Sequence, residues 1–218
     1  MTKSIPNDNT ESFEVLRKRW LNRYMKIQTK TDARIRTMLV ETAENAADKI
    51  SVLEKSSTFS SGVRTAQLRL VMQTVKETLN ELFNEITPVI SDGQKSEAQA
   101  AVESLGETDK WYLEQAFQST GAADDFIDSQ KLQAQVQVMN AVNRLTKSEK
   151  PLSERVYRTQ ALAKNWVQRD VTLEIAKGSS AREIAKIVRK HIRPNTPGGV
   201  SYAALRLGRT ELNNAFHA

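Results

Sequence analysis

Cysteine is absent from this chain of 218 residues, which excludes disulfides, thiolate nucleophiles and cysteine-ligated zinc. Histidine is scarce. The two present, His191 and His217, fall in different segments, and neither has a second His or Cys at the three- or four-residue spacing of a helical metal site. No glycine-rich phosphate loop, dinucleotide fingerprint or nucleophile elbow occurs. Asp124, Asp125 and Asp128 share a helical face, but without further oxygen ligands they read as a solvated acidic surface. The expectation is therefore a non-enzymatic protein with no cofactor and no metal. With 8 Gly, 5 Pro and 6% aromatic residues, the chain has few of the turn and strand formers of an all-β protein. No apolar run reaches the roughly 18 residues of a membrane span, and the N-terminal MTKSIPNDNTES lacks the apolar core of a secretory signal, so no membrane partner is expected.

What the chain has instead is helix-forming sequence. Ala, Glu, Gln, Lys, Arg and Leu recur throughout, residues with high helix propensity, and no segment alternates apolar and polar positions as a half-buried strand does. The predicted class is all-α, an elongated multi-helix protein of helical hairpins with no substantial sheet. Charge is unevenly spread: the net +6 combines 3 basic and 12 acidic residues over 76–130 with 16 basic and 6 acidic over 131–218. Such an asymmetry suits an acidic partner, self-association through opposite charges, or simply solvated helix faces.

Residues 1–10 read as a flexible tail. From residue 11, Phe13, Leu16, Trp20, Tyr24 and Ile27 step by three and four along one helical face, opposite Arg17, Lys18, Arg19, Arg23 and Lys26. Rings interleaved with cations suit a phosphate backbone or an acidic protein surface, which makes Trp20, Tyr24, Arg17 and Arg23 a candidate partner face. Thr31 or Asp32 is a candidate cap for a second stretch carrying Ile35, Leu39, Ala43, Ala46, Ala47 and Ile50, so that the two together make one long helix or two collinear ones. After a Ser-rich break at 56–62, a stripe from Leu68 to Ile86 predicts the returning helix of a hairpin over 11–90, ended by Pro88 and the Ser91-Asp92-Gly93 turn. An acidic, Gln/Ala-rich middle over 91–150 is expected to hold three helices, around 96–105, 108–120 and 122–145.

The basic region over 151–218 is the most clearly punctuated. A helix from Leu152 to Lys177 is expected to end on Gly178. Ser180 with Glu183 then has the spacing of a capping box, opening a helix whose buried face is Ile184, Ala185, Ile187, Val188 and Ile192. Its outer residues Lys186, Arg189, Lys190 and Arg193 are candidate contacts to DNA phosphates. The Gly-Ser-Ser turn also has the form of the first part of a helix-turn-helix DNA reader, but a Pro/Gly linker over 193–199 stands where a recognition helix would begin. A last helix, capped by Ser201, carries Ala204, Leu205, Leu207, Leu212, Ala215 and Phe216 on its apolar side. Ending near Ala218 without a Gly or Asn cap, it predicts that the polypeptide continues.

Four stretches of this region carry a resemblance: Gly178-Ser179-Ser180-Ala181-Arg182-Glu183-Ile184-Ala185, Thr196-Pro197-Gly198-Gly199, Ser201-Tyr202-Ala203-Ala204, and the run from Arg209 to His217. Over less than a third of the chain it resembles the Mu F-like minor capsid, or head morphogenesis, proteins of tailed bacteriophages, in the form found in phages of actinobacteria. In that family an Ala-Arg-Thr-Glu run opens the conserved C-terminal domain. Arg209, Thr210 and Glu211 match it, with Gly208 where Ala is usual, and the Trp and spaced Asp, Arg and His that normally follow in the family are not present in this sequence. The resemblance implies a structural role in the virion, inside the capsid and assembled in the host cytoplasm, with the portal protein and packaged DNA as partners during head assembly or genome delivery. The alternative from the residues alone is a free-standing helical DNA-binding or regulatory module built on the Gly178 turn.

Overall fold

The computed structural model describes residues 12–55, 61–117, 136, 137, 140, 152–194 and 199–217. Five helices carry them, with no strand among the described residues: α1 (Phe13–Lys55), α2 (Ser61–Phe117), α3 (Leu152–Lys177), α4 (Ala181–Ile192) and α5 (Val200–Phe216). The all-α expectation is met. At 1.5 Å per residue, the 43 residues of α1 and 57 of α2 make rods of about 65 and 85 Å.

The two rods form one antiparallel hairpin. Arg23 pairs with Glu103 and Lys49 with Glu81, while Phe13 stacks on Trp111 with ring centroids 5.3 Å apart. Much of the charge asymmetry is thus resolved internally, since acidic α2 lies along the cations of α1. The other helices form a second layer: α3 on α2, α4 on α1, and α5 against α1, α2 and α3. One continuous apolar core joins all five, including Ile35 and Leu39 of α1, Leu79 and Phe83 of α2, Val167 of α3, Val188 of α4 and Leu212 of α5. Leu16, Trp20 and Ala100 form a smaller cluster at the open end of the hairpin. Ala43, Ala46 and Ala47 are all buried on the stretch of α1 facing α4, where small side chains allow the axes to approach closely.

The expected end of the second helix is corrected. Pro88 lies inside α2, which runs on through Ser91-Asp92-Gly93 and merges the helices expected at 96–105 and 108–120; the boundary drawn between residues 90 and 91 falls mid-helix. Proline removes the hydrogen bond to the carbonyl of Asn84, but both residues are exposed, so water can satisfy that carbonyl. Beyond it Val89, Ile90, Gln94, Glu97, Ala98 and Ala100 are buried, and their packing outweighs the local stop signal. Likewise α1 passes unbroken through Thr31 and Asp32, so neither is a cap. The helix expected at 122–145, with Asp124, Asp125 and Asp128, lies almost wholly outside the described residues.

The C-terminal punctuation holds at two of three points. Gly178 has φ 83°, the left-handed conformation that favours glycine. Ser180 and Glu183 close a reciprocal capping box on α4. The cap of α5 is Gly199, two residues before the expected Ser201, which is buried inside the first turn. A side chain at position 199 would meet the His191 carbonyl oxygen at 2.7 Å, so close backbone approach, rather than side-chain capping, selects the residue there.

Candidate functional site

Helix α5 brings the Arg209-Thr210-Glu211 run to the junction of three other helices. The positions facing inward, Ala204, Leu207, Gly208, Glu211, Leu212 and Ala215, are buried at helical spacing. A side-chain carbon added at Gly208 would lie 2.9 Å from Ile35 Cδ1, so α5 approaches α1 closely at this position. Helix α2 is matched to this approach by Gly93, whose added carbon would meet Leu212 Cδ1 at 2.9 Å and Thr31 Oγ1 at 3.0 Å.

Glu211 is fully buried: Oε2 accepts hydrogen bonds from Arg155 of α3 at 2.5 Å and Gln94 of α2 at 3.1 Å. Oε1 has no partner among the described residues. Arg209, on the outer side of α5, donates through Nε to Asp32 of α1 at 2.8 Å, and that bond raises its pKa further. Thr210 faces solvent. The motif therefore binds α5 to α1 through one charge pair and to α2 and α3 through the other. Removing one partner of a buried pair leaves an uncompensated charge, which costs far more than the pair itself contributes.

One turn along α2 from Gln94 lies Glu97, also fully buried, with no partner for either carboxylate oxygen among the described residues. Desolvation pushes its carboxyl up to about 7. The nearby Tyr24 phenol is raised too, by burial first and then by the Glu97 charge.

The candidate partner face on α1 is largely engaged within the molecule. Trp20 is buried and donates from its indole N–H to Glu107 at 3.1 Å; the Arg23 guanidinium sits 5.0 Å over its ring. Tyr24 packs on Phe216 with centroids 4.7 Å apart and donates to Asn213 Oδ1 at 3.1 Å. Of the four, Arg17 and Arg23 are exposed, Arg23 while paired with Glu103. The exposed apolar side chains at this end are others, Leu21 and Met25 of α1 and Leu105 and Tyr112 of α2.

The four cations proposed for phosphate contact divide in two. Arg189 and Arg193, one turn apart on the edge of α4 facing α1, both donate to Glu44. The Arg193 bond foremost, with Arg189 adding, holds that carboxyl below its usual range against the opposing effect of burial. Lys186 and Lys190 are on the exposed side. Behind α4, His191 Nε2 lies 2.8 Å from Asp170 Oδ2. Burial would raise Asp170, but hydrogen bonds from Arg169 and His191 prevail and keep it ionised to lower pH. This pair joins α3 to the C-terminal end of α4, away from the Gly178 turn. Among the described residues, no group of three or more His, Asp or Glu is placed to hold a metal ion, and no helix is long and apolar enough to cross a membrane.

Sequence reasoning located the Arg-Thr-Glu run but missed Gln94, Arg155 and Glu97. Glutamine, arginine and glutamate mid-helix carry no signal of burial unless the packing partner is known. Comparison with known proteins returns no match: no family model, curated protein or solved structure is significantly similar to this chain.

Proposed function

We propose that this chain is a structural minor capsid protein of a tailed phage, which binds the portal inside the head and rests the basic side of its C-terminal helices near packaged DNA. The observation that carries the reading is the use made of Arg209 and Glu211. Both side chains that match the family motif are spent on ion pairs between helices, with Asp32 and Arg155, as suits a rigid packing element. The long hairpin supplies extended faces to a large assembly rather than a cleft for a small ligand. Its open end exposes Leu21 and Met25 on one face of α1 and Leu105 and Tyr112 on one face of α2, apolar surface of the kind that protein partners cover. Lys186 and Lys190 on α4 offer sequence-indifferent attraction for phosphates.

Co-expression with a portal protein from the same source tests the reading. The proposal expects the two to co-purify, and expects Leu21→Glu with Met25→Glu to abolish that while leaving helicity unchanged. Failure of the wild-type chain to associate with portal or with assembled heads refutes it.

A further inference from the structure

Arg189 and Arg193 converge on one acceptor. Their guanidiniums are one turn apart on α4 and both reach the Glu44 carboxylate of α1, so two cations share a single negative charge. Two arginine forks around one anion is the arrangement in which phosphate is held. The pairs are not sealed: the Glu44 side chain retains 36% of its exposure, and those of Arg189 and Arg193 retain 38% and 51%. Water screens such pairs, and a competing anion can reach them.

We infer that Glu44 occupies in cis a two-arginine site for a backbone phosphate, so that the basic face of α4 binds DNA with Arg189 and Arg193 held back until Glu44 is displaced. This rests on the DNA-contact part of the proposed function and adds its regulation. With Glu44 in place, the cations that release counterions lie outside this pair. With Glu44 neutralised, two more become available. Because the logarithm of affinity falls with the logarithm of salt by about 0.9 for each phosphate neutralised, freeing both arginines steepens that slope by up to about 1.8.

The test is a salt titration of the full chain on a mixed-sequence DNA duplex, comparing wild type, Glu44→Gln and Glu81→Gln. Glu81 pairs with Lys49 at 3.9 Å on the exposed side of the hairpin, so its variant makes the same change in net charge without touching α4. The expected result is a steeper slope and tighter binding at low salt for Glu44→Gln alone, with the wild-type slope restored when Arg189→Gln and Arg193→Gln are added to it. DNA binding by wild type with equal slopes for Glu44→Gln and Glu81→Gln overturns the cis occupancy and leaves the DNA reading standing. No binding by wild type or Glu44→Gln, even at about 50 mM salt, overturns the DNA reading and the cis occupancy with it.

Discussion

Replacing Glu97 by glutamine is expected to remove a dependence of stability on pH that runs opposite to ordinary acid denaturation. The carboxyl is fully buried without a partner and titrates near 7 in the folded chain, against an ordinary value of 4.5. Its neutral form is the one the fold accepts. Below pH 4.5 it is protonated in both folded and unfolded states and its contribution is fully present. Between 4.5 and about 7 the unfolded chain has released the proton and the folded chain has not, so stability falls as pH rises, and above about 7 the loss is complete. Each unit is worth about 1.4 kcal/mol, so the interval amounts to about 3 kcal/mol. Glu44, Asp170, Glu174 and Glu183 are held below their ordinary range and act in the other direction, losing their contribution as pH falls. The difference between wild type and Glu97→Gln isolates the single group. Urea unfolding followed by far-ultraviolet circular dichroism, at steps from about pH 4 to about pH 8, gives that difference. The variant should gain about 3 kcal/mol on wild type across the range. A difference that does not change with pH refutes the reasoning, because it means that Glu97 reaches water or a cation when ionised.

Five further substitutions, two of them controls, test the junction around α5 and the turn before α4. Glu211→Ala removes the buried carboxylate to which Arg155 and Gln94 donate and should cost about 3 kcal/mol in chemical denaturation, whereas Thr210→Ala, on the exposed side of the same helix, should change stability by less than about 0.5 kcal/mol. Gly93→Ala places a methyl against Leu212 and Thr31 and should lower stability by about 1 kcal/mol net of its helix-propensity gain. Gly106→Ala, in the same helix with nothing within 4 Å of the added carbon, should instead raise it by about 0.5 to 1 kcal/mol, and the opposite sign of the two is read from paired melting curves. Ser180→Ala removes the side-chain half of the capping box on α4 and should cost about 1 kcal/mol, visible as a lower midpoint with unchanged denaturant slope.

How much of this was legible in the sequence depends on the distance between cause and effect along the chain. The Gly178 stop and the Ser180 and Glu183 box are set by residues within one turn of each other, and both lie where their spacing predicts. The inner face of α4 is equally local: Ile184, Ala185, Val188 and Ile192 are buried as their three- and four-residue steps require. Pro88 misled because its local effect is outweighed by contacts with α1 and α5, more than 50 residues away in either direction. Glu211 was less legible still. A glutamate between Thr210 and Leu212 carries no local signal of burial, and only the arrival of Arg155 from α3 and Gln94 from α2 makes its burial tolerable. The partner face was half legible for the same reason. Trp20 and Tyr24 lie on the inner side of α1 as their periodicity implies, but that Arg23 would pair with Glu103 and Trp20 donate to Glu107 follows from the register of the hairpin, which the sequence of α1 alone does not contain.

The measurement that bears most directly on the proposed role is quantitative mass spectrometry of purified, genome-filled phage particles prepared from the source of this chain. The account predicts peptides from α1 to α5 in the particles, at low copy relative to the portal protein and retained when the outer surface is stripped by protease. Particles that contain portal but no peptide of this chain, with the chain recovered free in the host cytoplasm, would contradict it.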